Sequence, residues 1–372
     1  MVKSLDRWKE QALIAKKSCE WLSGSITMIT KTNNRILLLI LKNMPVILFI
    51  IIFIGFSLLD HRFFTAQNFD NILRSSSFVG ILAVGMTLVL LTGGIDLSVG
   101  AIMYVAGGLI GIMLEQNFNL WLSISVGLLS GIVFGLFNAF IITKLKIIPF
   151  MATLGTLTAG RGLALLITHS RALSFPASIK VGAVKVFDLI PVPVLIFLIV
   201  VTVAFLILLL TPLGRQIYAL GNDLEAAKKA GLNTDRLIAF VYIFSGFCAA
   251  LAAVVAITQQ GRVSASFGSG IEFRAIAAAV LGGTSLFGGV GLVFPGTFIG
   301  VMLMQMIQTG MVYLQVDGYL QDIVVACVIF FAIFIDAQRI GLLRKLERRT
   351  IRIEKDMDRY SKKPAPEMMN GD

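Results

Sequence analysis

Residues 214–231 read Gly214-Arg215-Gln216-Ile217-Tyr218-Ala219-Leu220-Gly221-Asn222-Asp223-Leu224-Glu225-Ala226-Ala227-Lys228-Lys229-Ala230-Gly231. The stretch is polar and helix-forming, and it is the only sizeable polar segment in the middle of an otherwise apolar chain. Asn222 and Asp223 read as an N-cap, Glu225 falls near the positive end of the helix they start, and Gly231 can close it in the left-handed region. The sequence therefore predicts a rigid polar lever between two membrane spans, placed where a soluble partner can push on it.

The composition agrees with a membrane setting. Of the residues, 57% are hydrophobic and 14% charged, against about 25% charged in a soluble domain. Apolar runs long enough to cross about 30 Å of hydrocarbon recur along the chain, which predicts an all-α polytopic membrane protein. Ten spans are expected. The first five are Asn43 to Leu59, Phe78 to Thr92, Ala101 to Leu114, Leu120 to Thr143 and Phe150 to Ile167. The second five are Val192 to Leu210, Leu237 to Ile257, Ile271 to Leu286, Val290 to Val312 and Leu320 to Ile335. The third and eighth are short for a full crossing, so broken or tilted helices are expected there. Abundant glycine fits close helix approach in a membrane. Cys19, Cys248 and Cys327 are too far apart for a metal spacing or a disulfide framework. Residues 1–42 are polar and basic, and too long to be the n-region of a signal peptide.

Charge orients the spans. Residues 1–42 carry a net +5, the tail from Asp336 a net +3, the 211–236 loop a net +1 and the Lys144/Lys146 loop +2, which together account for the formal +11. Ten spans put all four on one side, so both termini and the lever are expected in the cytoplasm. The basic excess reports topology and implies no nucleic-acid partner. Three regions follow: an N-terminal extension over 1–42, a transmembrane domain over 43–335, and a charged tail over 336–372. The extension has a helical look, with Leu5, Trp8, Leu13, Ile14, Trp21 and Leu22 among charges, and can lie on membrane lipid or remain a solvated topogenic tail. The tail ends in Lys362-Lys363-Pro364-Ala365-Pro366, a composition of disorder.

Two glycine-bracketed segments echo each other. Gly93-Gly94-Ile95-Asp96-Leu97-Ser98-Val99-Gly100 and Gly282-Gly283-Thr284-Ser285-Leu286-Phe287-Gly288-Gly289 share the pattern G-G-x-x-L-x-x-G. Paired interruptions of this kind mark discontinuous helices near a transport pathway, or simply two tight inter-helix turns.

No catalytic machinery is legible. His61 and His169 fall in exterior loops, and no HExxH, GxSxG, Walker A or Cys/His cluster occurs, so neither an enzyme, a metal site nor a cofactor is expected. Polar residues at membrane depth are the remaining candidates, since burying them is costly without a partner or a task. Asp96 can bond solute hydroxyls, pair with a cation, or cap the third span together with Ser98. Thr153, Thr156, Thr158 and Arg161 follow Pro149, and that arginine needs a carboxylate or carbonyl. Glu272 and Arg274, at the exterior mouth of the eighth span, are read as near enough to pair with each other. Asn138, Gln305 and Gln308 offer amides that can reach across helices.

Four ordered segments carry a family resemblance. Ala83-Val84-Gly85-Met86-Thr87-Leu88-Val89 leading into GGIDLSVG, and Ala152-Thr153-Leu154-Gly155-Thr156 with Arg161-Gly162, resemble segments of the permease subunits of bacterial ABC importers of the ribose/galactose/xylose type. The loop residues Gly214, Arg215, Gly221, Asn222, Asp223, Glu225, Ala226, Ala227, Ala230 and Gly231 are similar to the ATPase-coupling loop of that family. So is the segment from Glu272 through Val280-Leu281-Gly282-Gly283-Thr284-Ser285-Leu286 to Gly288-Gly289. The match covers roughly residues 44–336.

The resemblance implies a multi-pass inner-membrane protein that forms a homo- or heterodimeric pore with a second permease. A monosaccharide or similar small polar solute would arrive from an extracytoplasmic binding protein, and ATP would be split on a separate cytoplasmic subunit. Asp96, Ser98, Asn138, Thr153, Thr156, Arg161, Glu272, Arg274 and Gln305 become the pathway candidates. The family pattern serves pentoses, hexoses, polyols and the furanose-derived autoinducer-2, so it does not choose the solute. The rival readings are an ion-coupled secondary transporter, which would use Asp96 with Arg161, and a scaffold, which would need no lever.

Overall fold

The computed structural model describes residues 43–176, 179, 184–186 and 190–348. The readings made for 1–42 and for the tail beyond 348 lie outside the described residues. Helices dominate: α1 Met44–Leu59, α2 Ala66–Leu91, α3 Val99–Glu115, α4 Leu120–Thr143, α5 Pro149–Thr168, α6 Val192–Leu210, α7 Pro212–Asn222, α8 Leu224–Lys229, α9 Thr234–Gln260, α10 Ile271–Leu281, α11 Phe298–Tyr313 and α12 Gly318–Arg348. Among the described residues, α2, α4, α5, α6 and α9 are long and apolar enough to cross a membrane, and α1, α3 and the first part of α12 are shorter apolar helices. Prolines open α1, α5, α6 and α7 in their first turn, where the missing N–H is not needed. Two short antiparallel ribbons complete the fold, β1 (Leu173–Ser174) with β4 (Arg262–Val263) and β2 (Lys185–Val186) with β3 (Ile190–Pro191).

The core is built around α2, which is buried at every residue from Val79 to Leu91. It packs against α6, α9, α10 and α11. Its first three turns, over 66–77, lie ahead of the expected start at Phe78. Polar residues hold that extension: the Thr65 hydroxyl caps Asn68 N–H, Asp70 pairs with Arg74, and Gln259 Nε2 donates to the Arg74 carbonyl at 2.8 Å. An apolar-run reading stops where polarity begins, but a helix with its polar turns satisfied does not.

Against α4, α9 makes the broadest helix contact of the bundle. Gly127, Gly131 and Gly135 repeat at one face of α4. A Cβ at Gly131 would fall on the Gly246 carbonyl, and one at Gly135 would sit 2.6 Å from the Tyr242 carbonyl. The two backbones therefore touch, as small residues permit in helix pairs.

Two short helices begin inside the bundle. α3 has 17 residues and α10 has 11, in keeping with the expected shortness of the third and eighth spans. Their N-terminal ends meet, since a Cβ at Gly100 would land on the Gly268 carbonyl and 2.5 Å from Glu272 Oε2. From there they run to opposite ends. Gly107 and Gly111 of α3 lie against Val263, Phe267 and Leu173, whereas Gly282 beyond α10 lies against Gly296. The 261–270 segment thus descends along α3 before α10 starts.

Besides the early start of α2 and the run of α12 on to Arg348 past the expected Ile335, three boundaries differ from expectation. The eighth span ends at Leu281, because Gly283 turns the chain there in the left-handed region (φ 92). The ninth starts as a helix at Phe298, after a π turn over Val293–Thr297, rather than at Val290. Residues 211–236 form two helices plus the start of α9, with Asn222 closing α7 instead of starting a helix.

Packing at the α4–α9 seam should decide stability. Gly131→Ala and Gly246→Ala each drive a methyl into a backbone carbonyl and should lower the stability of the solubilised protein by about 1–3 kcal/mol. Gly55→Ala, which meets open space on α1, should change it by no more than about 1 kcal/mol. Thermal melting in detergent checks the contrast.

Candidate functional site

Both α2 and α10 end in the same hydrogen-bonded cap. Gly93 (φ 75) donates to the Leu90 carbonyl at 2.8 Å and Gly94 to Val89 at 3.2 Å; Gly283 donates to Val280 at 2.8 Å and Thr284 to Ala279 at 3.0 Å. These are Schellman caps, with glycine in the left-handed position. The sequence pattern paired Gly93 with Gly282, but the matching caps pair it with Gly283, one residue on. Beyond the caps the segments diverge: 94–98 leads back to the start of α3, whereas 285–291 is a glycine-rich turn closed by Ser285 N–H on the Val290 carbonyl at 2.8 Å.

The lever sits on the end of α2 and on the turn that follows the α10 cap. Gly289 N–H donates to the Leu91 carbonyl at 3.0 Å, and a Cβ at Gly221 would fall on that carbonyl and 2.5 Å from Gly289 N. A Cβ at Gly288 would lie 2.7 Å from the Gly221 carbonyl and 2.9 Å from Gly93 N. Three backbone segments therefore meet with no side chain between them. The Tyr218 hydroxyl donates to the Gly291 carbonyl at 2.7 Å, and burial raises that phenol above its ordinary pKa, so it stays a donor. At the other end of α7, Thr211 caps Gly214 N–H, and Gly214 is seated against the Leu208 carbonyl. A displacement of α7 therefore bears on the end of α2 and on the 285–291 turn.

α8 lies at the surface beside α7. Asp223 accepts from the N–H groups of Glu225 (2.9 Å) and Ala226 (3.0 Å), and Gly231 (φ 80) ends the turn beyond it. Ala227 is buried beneath, while Arg215, Asn222, Asp223, Glu225, Ala226, Ala230 and Gly231 are exposed. Glu225 pairs with Lys228 at 2.9 Å on the surface. A cavity of about 360 Å³ lies between this segment and the α4–α5 link, bridged by Lys146 and Asp235 at 3.1 Å.

A second cluster is buried between helices. Asp96 is fully buried, and its Oδ1 accepts from Ser98 N–H (3.0 Å) and Ser98 Oγ (2.6 Å), while its Oδ2 accepts from Ser245 Oγ (2.8 Å). Asn138 Nδ2 donates to Ser98 Oγ at 2.8 Å, and Thr156 Oγ1 donates to Asn138 Oδ1 at 2.8 Å. Thr153 Oγ1 reaches the Ile95 carbonyl at 3.2 Å, as does the Tyr242 hydroxyl. The network ties α4, α5 and α9 to the segment leading into α3. Asp96 forms its turn with Ser98 two residues on, ahead of α3, so it shapes the approach to that helix and Ser98 makes no side-chain cap.

Away from the lever, Arg161 donates to the carbonyls of Phe267 (2.8 Å) and Ala265 (3.4 Å) and lies 5.6 Å from the centre of the Tyr104 ring. It thus meets the carbonyl need expected of it, and holds the descending 261–270 segment to α5. A cavity of about 390 Å³ opens over that segment, lined by Arg262, Ser264, Ser266, Ser269 and Arg274 among others.

Two expectations are corrected. Glu272 and Arg274 do not pair, because residues two apart on a helix point to opposite sides; Arg274 lies 3.8 Å from Asp322. Gln305 does not reach across helices, its amide bonding Thr309 one turn along α11 at 3.3 Å. Sequence reading missed Tyr218, Tyr242 and Ser245. Each is a lone hydroxyl in a helix, and only the partner from a distant segment gives it meaning.

These features define a class: a multi-pass helical membrane protein with an amphipathic lever seated on two interrupted helices. A permease family model described as branched-chain amino acid transport system / permease component matches residues 68–333, and the chain belongs to that family. It is 37% identical to the autoinducer 2 import system permease protein LsrC of Yersinia enterocolitica over 309 residues, 82% of this chain and 84% of that one. It is 38% identical to the ribose import permease protein RbsC of Haemophilus influenzae over 286 residues, 75% and 88% of the two chains. The LsrC protein of Photorhabdus laumondii is 36% identical over 301 residues, 80% and 89% of the two chains. No solved structure matches the chain at a significant level.

The buried network separates two substitutions of one residue. Asp96→Asn keeps one oxygen for Ser98 and an amide that Ser245 can accept from, so it should melt within about 1 kcal/mol of the native protein, while Asp96→Ala strands buried hydroxyls at about 1–3 kcal/mol each. Thermal melting of the purified variants measures the difference.

Proposed function

We propose that this chain is the membrane-spanning subunit of an ATP-driven bacterial importer of a monosaccharide or a closely related small polar solute. It crosses the inner membrane ten times with both termini in the cytoplasm, and pairs with a second permease around the pathway. A cytoplasmic ATP-binding subunit grips α7 and α8, and an extracytoplasmic binding protein delivers the solute at the opposite end. The sequence has no Walker A motif, so ATP is split on that separate subunit.

The observation that carries this reading is the backbone contact of α7 with the end of α2 and with the turn that follows the α10 cap. A lever built this way converts a push at its exposed face into movement of two interrupted helices, which is what alternating access needs. Sugar import in the relatives' names supports the solute class. Among the pathway candidates, Asp96, Ser98, Asn138, Thr153 and Thr156 form the frame, and Arg161, Glu272 and Arg274 stand toward the solute's route.

Co-purification from the native cell, followed by reconstitution with the ATPase subunit and the binding protein, tests the reading. Tritiated pentoses, hexoses and autoinducer-2 form the panel. ATP-dependent accumulation of one of them is the expected result, and ATP-independent uptake by the chain alone would overturn it. Ala226→Arg places a bulky charge on the exposed face of α8 and should reduce uptake by at least about tenfold while membrane insertion and melting remain native. Tyr218→Phe removes only the bond to Gly291, so the ATPase subunit should still bind, with fewer solute molecules moved per ATP.

A further inference from the structure

We propose that Glu272 is a solute ligand, its carboxylate accepting a hydroxyl of a neutral polyhydroxylated molecule where α3 and α10 meet. The inference rests on the import reading above and adds a residue and a chemistry to it. Glu272 is 5% exposed, and its Oε2 is fully buried with no hydrogen-bond partner. Leaving a buried carboxylate oxygen unpaired is expensive, so such an atom calls for an explanation.

The surroundings select the ligand. Glu272 lies in the first turn of α10, and its Oε2 faces Gly100 in the first turn of α3. Neither helix start has a side-chain cap from its N-cap residue, Ser98 or Gly270. Two positive helix ends converge on the carboxylate, and Arg161 adds a third source of positive potential nearby. A cation would be repelled by all three. An anion would meet the carboxylate itself. A hydroxyl group satisfies both, giving its proton to Oε2 and offering its lone pairs to amide N–H groups at the helix ends.

A cavity approaches the carboxylate. The 390 Å³ cavity is lined by Gly268, Ser269 and Ile271, and the same Gly268 and Ile271 touch Gly100, which Glu272 Oε2 faces. Only these residues stand between the cavity and the buried oxygen, and a solute reaches it when the 261–270 segment moves. Serine hydroxyls and Arg262 line the approach, a polar surface suited to a hydrated solute.

Reconstituted complex with its ATPase subunit and binding protein, supplied with tritiated ribose, tests this. Should the panel above have found a different sugar to be imported, that sugar replaces ribose and the comparison of variants is unchanged; a panel with no imported sugar refutes the substrate on which this inference rests, and with it the inference. Glu272→Gln should cut uptake by about tenfold or more at low solute, while melting stays native. Glu272→Asp keeps the charge but draws the oxygens back by one methylene, and should import with a raised KM. Uptake by Glu272→Gln within twofold of native overturns the proposal. So does native KM in Glu272→Asp, which would leave the charge a folding role only, and that arm decides even if Glu272→Gln fails to fold. Wild-type uptake that requires a sodium gradient would also overturn it, in favour of a cation at the same oxygen.

Discussion

Inside a bilayer every backbone N–H and C=O must find a partner within the protein. That constraint bears hardest where helices stop or start inside a bundle, and this chain does both. The ends of α2 and α10 are closed by two Schellman caps that consume four carbonyls. Ahead of α3 the chain is held by Asp96 through Ser98 and Ser245, and by the Tyr242 and Thr153 hydroxyls on the Ile95 carbonyl. Ahead of α10 it is held by Arg161 on two carbonyls of the descending segment. The costly polar residues of the membrane domain are largely the ones that make these interruptions possible.

Interruption has a mechanical consequence. Where the end of α2 and the 285–291 turn meet α7, glycine allows backbone to lie on backbone: Leu91, Gly93, Gly221, Gly288 and Gly289 come together without intervening side chains. Side chains at a contact can change rotamer and absorb a displacement, whereas backbone atoms in van der Waals contact cannot. Movement of the lever is thereby passed on with little slack.

Much of this was legible in sequence. Apolar runs gave most of the long helices, because a continuous hydrocarbon environment imposes a continuous apolar requirement. The Gly93-Gly94 and Gly282-Gly283 pairs stood out because left-handed caps need glycine, yet their true register was hidden, since the pattern also matched at a neighbouring glycine. The polar start of α2 was missed because its stability comes from Thr65, Asp70 and Gln259 rather than from apolarity. Asp96 and Asn138 could be singled out as buried polar residues, but their partner Ser245 lies 149 positions from Asp96. The supposed Glu272–Arg274 pair failed on helix geometry alone. Proximity in sequence was there mistaken for proximity on one face.

The short length of α10 links the two ends of the molecule's proposed work. Eleven residues at about 1.5 Å each make a rod of roughly 16 Å. One end of that rod leads through its cap into the turn whose Gly288 and Gly289 touch Gly221 of the lever; the other is the first turn that holds Glu272 against Gly100. Its middle, Ala275 to Ala279, is buried and carries alanine at every position but Ile276, and at Ala278 its backbone touches Gly300 of α11. Such a surface has low ridges, so the rod can slide along its neighbours at less steric cost than one bearing leucines. A long continuous span would anchor its far end outside the bundle, but a rod that starts at mid-depth is free to carry a displacement from the lever straight to the carboxylate. The break in the helix is therefore what places the solute-facing end within reach of the lever.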